Sequence, residues 1–314
     1  MNGRKFQVKL IRDVVYYSPS RELFADVYLP GGLQEPCAAI IWVHGGGWRS
    51  GDRHLAPDLR RFYAERGYAM VSIDYRLSSE ATFPAPVQDL KTSVRWLKQS
   101  ADSFGIDPKR IALWGSSAGA HLAALAAASG TGRFEGSEYL DQSSSVAGVV
   151  AGYAPVDFLQ MDAHRDPKGT PSEDLESVQL PPGSLSTNPD SMESLFLGVP
   201  IQMCPERVQE ANPITYVESG LPPFLLLHGT SDTVVPVHQS LLLFEALART
   251  GNGASLVLVE RLGHGFLTRN NIHNATWRAE VRMSNNGLIS TKQASVQVFE
   301  VIGEWFDKHL QQRA

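Results

Sequence analysis

Short apolar runs alternate along this chain with stretches in which apolar residues recur every third or fourth place. Residues 8–16 and 23–29 read as an opening antiparallel pair of strands. Residues 38–43 form a compact apolar run that ends at His44 and three glycines, which suits a strand buried on both faces. The runs at 68–73, 110–113, 146–153, 224–227 and 256–259 read the same way. Between them, Val87, Leu90, Val94 and Leu97 share one helical face, and Pro84 and Pro86 suit the start of that helix. Leu59, Phe62 and Tyr63 mark another helix, closed by Gly67. Residues 118–128, 237–247 and 296–310 complete the helical set. Strands that alternate with helices predict an α/β protein with a mostly parallel central sheet flanked by helices.

Two segments break the alternation. Residues 156–212 are polar and rich in Pro and Ser, with a short helical pattern near 192–197. Residues 267–293 carry Trp277 among charges. Both are expected to be cap or rim insertions on a single domain, with mobile surface loops as the competing expectation.

Composition narrows the class. A chain of 314 residues can bury about three quarters of its unfolded surface, so the core needs no metal or disulfide staple. A net charge of −5 argues against nucleic acid as a partner. The two cysteines, Cys37 and Cys204, read as free thiols, and no Cys/His cluster has zinc spacing. No run approaches the ~20 apolar residues that span a bilayer, and residues 1–17 lack the apolar core of a signal peptide. The expectation is a cytoplasmic protein with no membrane partner, with secretion left open. Exposed sheet edges would allow a homodimer, but nothing in the sequence requires one.

The strongest chemical signal is Gly115-Ser116-Ser117-Ala118-Gly119, placed between an apolar run and an Ala-rich helix. A serine at a sharp strand-to-helix turn projects its hydroxyl out of the sheet beside the free amides of the helix start. A hydroxyl is a weak nucleophile at neutral pH, so it needs a base and a group that orients the base. In this arrangement the order is Ser, then acid, then His. Asp232, in the loop after 224–227, and His264, between Gly263 and Gly265, fill those places. Asp157 and Glu260 are the alternatives for the acid. His121, His228 and His238 have structural readings: packing under the sheet, a strand end and a helix surface. The second signal is His44-Gly45-Gly46-Gly47-Trp48. Glycines after a strand can turn amides toward a developing oxyanion, and losing one such donor typically costs ~10²–10³ in rate. Gly46, Gly47 and Ala118 are the candidate donors. No Gly-Lys-Ser/Thr follows the glycines, which argues against a phosphate loop. Trp48 and Trp277 are candidate substrate contacts, Trp48 by stacking on a ring or sugar.

Taken together, HGGGW, Asp74-Tyr75-Arg76-Leu77, Phe83-Pro84-Ala85-Pro86, Asp107-Pro108-Lys109-Arg110-Ile111 and GSSAGAHL resemble the HGGG branch of α/β-hydrolases. That branch includes the hormone-sensitive-lipase-like carboxylesterases. Trp48 and the run 211–217 ahead of PPFLLLHGTSD are more similar to bacterial feruloyl-esterase-like and acetyl-xylan-esterase-like hydrolases. The resemblance covers about 23–266 and the C-terminal helix. It implies a serine esterase without cofactor, with Ser117, Asp232 and His264 as nucleophile, acid and base, and Gly46 and Gly47 in the oxyanion hole. The expected partner is a small ester with a short or aromatic acyl group. A formamidase-type amidase and a non-catalytic receptor on a hydrolase scaffold are the alternatives. The chain departs from relatives at 267–293, where they are often shorter. Asp74, Tyr75 and Arg76 are expected to brace the glycine loop.

Overall fold

The computed structural model describes residues 5–165, 180–181, 183–269 and 272–311. Its strands are β1 (Val8–Tyr17), β2 (Leu23–Pro30), β3 (Cys37–Val43), β4 (Ala69–Ile73), β5 (Ile106–Ser116), β6 (Gly148–Gly152), β7 (Phe224–Gly229), β8 (Ala254–Val259), β9 (Trp277–Asn285) and β10 (Leu288–Val296). Its helices are α1 (Leu59–Phe62), α2 (Ala85–Gln99), α3 (Ala101–Phe104), α4 (Ala118–Ala128), α5 (Met161–His164), α6 (Met192–Leu197), α7 (Pro205–Ala211), α8 (His238–Arg249) and α9 (Val298–Leu310).

All ten strands join one sheet in the order β1-β2-β4-β3-β5-β6-β7-β8-β9-β10. The six from β4 to β8 run parallel. The two at each end run antiparallel. This is the α/β-hydrolase arrangement.

Side chains on β3 show why the sheet is buried on both faces. Cys37, Ala39, Ile41 and Val43 enter one apolar layer with α2, α4 and α8. Ala38, Ile40 and Trp42 enter the other, with α1 and α9. A strand alternates its side chains between faces, so an unbroken apolar run serves two cores at once. Trp42 meets Trp114 of β5 edge to face, with ring centroids 4.6 Å apart. Every residue of α4 is buried, and its many alanines let it lie close under the sheet.

The segment 267–293 does not form a rim. After two short 3₁₀ turns, β9 pairs with β8 and β10 pairs with β9, which extends the sheet by a hairpin. Asn286 and Gly287 make its tight turn, with φ of 49° and 80°. Within 156–212, α5, α6 and α7 are described, and residues 166–179 and 182 lie outside the described residues. No helix among the described residues is long and apolar enough to cross a membrane. Cys37 and Cys204 are both free thiols.

Candidate active site

Ser117 stands between β5 and α4 with φ 52° and ψ −121°, a conformation L residues rarely adopt. The turn closes only because both flanking residues of the motif are glycines. A Cβ at Gly115 would collide with the Gly119 carbonyl, and one at Gly119 would collide with the carbonyls of Val43 and His44. The start of α4 is therefore pressed against the end of β3. The Ser117 amide donates to the Gly152 carbonyl at 2.8 Å, which ties the turn to β6.

The hydroxyl, imidazole and carboxylate anticipated from the sequence meet. The Ser117 hydroxyl donates to His264 Nε2 at 2.9 Å. His264 Nδ1–H donates to Asp232 Oδ2 at 2.7 Å. His264 is 5% exposed, and the Asp232 side chain is fully buried. Burial opposes ionisation of Asp232. The facing His264 and the bond from His228 outweigh it and hold the carboxyl far below its ordinary range. The amides of Val234 and Val235 both donate to Asp232 Oδ1 at 2.9 Å. Neither alternative acid is used this way: Asp157 accepts from Gln160 at 2.6 Å, and Glu260 faces Arg278 at 4.0 Å.

The glycine loop lies beside this group. Gly46 and Gly47 have φ of 113° and 59°. The Gly46 carbonyl turns back to accept from the amides of Arg49 and Ser50 at 3.2 and 3.1 Å. Among the described residues, no acceptor takes the amides of Gly46 or Gly47. The Ala118 amide is in the first turn of α4, where helix geometry gives it no partner within the helix. A Cβ on Gly45 would sit 3.3 Å from the Ser117 Cβ, so the loop passes directly over that serine.

Of the three residues expected to brace this loop, Asp74 and Tyr75 do so and Arg76 does not. Arg53, at its far end, donates to Asp74 at 2.9 Å and Asp26 at 3.1 Å and also pairs with Asp13. The Tyr75 hydroxyl donates to the His44 carbonyl at 3.0 Å, and its ring stacks on the His44 ring. Arg76 turns away and pairs with buried Asp89 on α2 at 2.7 Å.

The two candidate tryptophans lie elsewhere than expected. Trp48 is 1% exposed, stacked on Phe196 and edge-on to His121 and Phe158, so its indole has no face free for a substrate ring. It anchors the glycine loop to the segment 156–212. Trp277 opens β9, pairs with Val296 and packs in the layer with α9. That strand is four places from β5 in the sheet, about 19 Å at the usual strand spacing, too far to line a pocket at Ser117.

Of the histidines given structural readings, His121 fits: its Nε2–H donates to the Ala211 carbonyl at 2.8 Å, and burial lowers its pKa to about 4. His228 does more, because it stands 3.3 Å from Asp232 Oδ2. Tyr153, with φ 42°, packs edge-on against His264 at 4.7 Å, and its hydroxyl accepts from the Leu267 amide at 3.2 Å. Nothing in the local pattern around Tyr153 marks it, whereas His228 was visible four residues ahead of the acid.

The BD-FAE family matches residues 25–247, more than half of the chain. The protein belongs to the BD-FAE family. The prolyl oligopeptidase family also matches residues 190–313, the part that carries Asp232 and His264. Among curated proteins similar to this BD-FAE member, Esterase LipC of Mycobacterium tuberculosis is 32% identical over 74% of the chain and 54% of its own length. Esterase LipQ of the same organism is 31% identical over 79% of the chain and 55% of its own length. The chain thus spans about half the length of these relatives. A truncated carbohydrate esterase from gut microbiota superimposes with a TM-score of 0.74 at 25% identity, covering 98% of both chains. Esterase 2 of Thermogutta terrifontis with butyrate bound gives 0.63 at 28% identity, covering 83% of this chain and 85% of its own.

Proposed function

We propose that the protein is a serine carboxylesterase that hydrolyses short-chain or aromatic acyl esters through an acyl-enzyme. The observation that carries this reading is the continuous path from the Ser117 hydroxyl through His264 to Asp232, at 2.9 and 2.7 Å. The hydroxyl attacks the ester carbonyl while His264 Nε2 takes its proton, and Asp232 stabilises the imidazolium and holds its tautomer. Gly46, Gly47 and Ala118 offer amides to the oxyanion. His264 then gives its proton to the departing alcohol. Water, deprotonated by the same base, releases the acid and restores Ser117. Esterase names among the relatives support the reaction class, and the gut carbohydrate esterase and the butyrate-bound neighbour support a small acyl group. A cytoplasmic location is part of this reading, and the free thiols support it, since thiols persist in a reducing compartment.

The test is a series of p-nitrophenyl esters of increasing chain length, with aryl formamides and peptide anilides alongside. Turnover should peak on acetyl to butyryl or on feruloyl-type esters and vanish in Ser117→Ala, which should keep its circular dichroism. A fluorophosphonate probe should label the wild type only. A peak beyond about ten carbons would sink the substrate reading. Preference for formamides or anilides would make the protein an amidase or a peptidase, the latter favoured by the prolyl oligopeptidase match. Failure of the probe to label would leave a receptor on a hydrolase scaffold.

A further inference from the structure

Asp232 is approached by two histidines, and only one of them faces the nucleophile. His228 is the penultimate residue of β7 and is completely buried. On one side its Nδ1 lies 2.7 Å from the Ser240 hydroxyl of α8. On the other its Nε2 lies 2.9 Å from the Val235 carbonyl and 3.3 Å from Asp232 Oδ2. A carbonyl and a carboxylate oxygen can only accept. The ring therefore carries its proton on Nε2, and the Ser240 hydroxyl donates to the bare Nδ1. The opposite tautomer would aim a lone pair at two acceptors inside a site closed to water.

We infer that His228 is a positioning residue of the reaction: its Nε2–H, fixed by Ser240, is a second imidazole donor to the carboxylate that orients His264. With it, Asp232 accepts two amides on Oδ1 and the His264 imidazole on Oδ2, while the His228 Nε2–H, bonded to the Val235 carbonyl at 2.9 Å, also faces Oδ2 at 3.3 Å. That leaves the carboxylate no freedom to rotate away from the base. The shared donor also sets how strongly Asp232 attracts a positive charge on His264, because the N–H dipole presents its positive end to the same oxygen. The other titratable or charged groups around this pair are Tyr153, packed on His264, His238 at the start of α8, and Arg165, which donates to the Val234 carbonyl at 3.3 Å. The inference rests on the proposed roles of Ser117, His264 and Asp232.

Two measurements test it. In the wild type, NMR of protein carrying nitrogen-labelled histidine should find the His228 proton on Nε2 at neutral pH; a proton on Nδ1 overturns the proposal. Kinetics on p-nitrophenyl butyrate then compare His228→Leu, which removes the donor, with His228→Gln, whose amide can donate from the Nε2 position. The leucine variant should lose roughly tenfold in kcat with little change in KM. Its acid limb of kcat/KM should move to higher pH, since one fewer positive dipole opposes the imidazolium. The glutamine variant should keep the wild-type limb. A leucine variant with an unmoved limb, or a glutamine variant whose limb moves, overturns the role of His228. If the leucine variant does not fold, the tautomer and the glutamine limb decide. Turnover retained by Ser117→Ala would instead strike the underlying catalytic reading.

Discussion

At Asp232, two kinds of neighbour solve one problem. A carboxylate taken out of water needs its charge answered locally, and here two amides and two imidazoles do so. The result is an anion held far below the ordinary carboxylate range, facing the Nδ1–H form of His264. Asp232→Asn turns an amide N–H toward the ring and favours the wrong tautomer. Its kcat should fall on the order of 10⁴-fold with the fold retained, as stopped-assay kinetics beside a melting curve will show. A fall of less than tenfold would mean that another group orients the base.

Between β3, the glycine loop and α4, the close approach at Gly119 is the contact that cannot be adjusted. The atoms a Cβ would strike are backbone carbonyls of Val43 and His44, not the ends of flexible side chains. Gly119→Ala should therefore cost several kcal/mol, at the upper end for a point change, and give little soluble protein on expression. Normal yield and an unchanged melting temperature would contradict the packing described. Elements of this kind are legible in sequence because their demands are local: a strand, a glycine, a serine and a helix start within a few residues of one another. The glycine loop was readable for the same reason. The role of Trp48 was not, because what covers its indole, Phe158 and Phe196, comes from a distant segment. Likewise the bracing of the loop by Arg53 and Asp26, and the edge of Tyr153 on His264, exist only once the sheet has assembled. The hairpin of β9 and β10 was misread for a different reason. β10 is mostly exposed and β9 is largely half-buried, so their polar residues look like a loop. The Asn286-Gly287 pair between alternating segments was the available signal.

Across the whole molecule, the two apolar layers bury titratable groups whose ionisation the folded state resists. The free imidazole value is 6.5, whereas His121 binds a proton only near 4. Between those values the unfolded chain holds a proton that the native protein does not, so stability falls as pH drops from 6.5 to 4 and is unaffected by this group above 6.5. The loss from His121 alone is about 3 kcal/mol. Asp232 acts in the same direction at lower pH: its native carboxyl stays ionised below the ordinary 3.8, so the unfolded chain gains the proton first. Chemical denaturation at pH 7 and pH 4.5 should show the difference, and His121→Phe should flatten the slope. A wild-type midpoint that does not change between those pH values would rule this out.

Met192, the first residue of α6, lies against Gly47, close enough that a Cβ there would run into its sulfur. One wall beside the glycine amides is thus built from outside the strands and helix that hold Ser117. What bounds the glycine amides and what links Ser117, His264 and Asp232 consequently come from different stretches of chain. A substitution at Met192 can therefore reshape that wall without touching the Ser117–His264–Asp232 contacts.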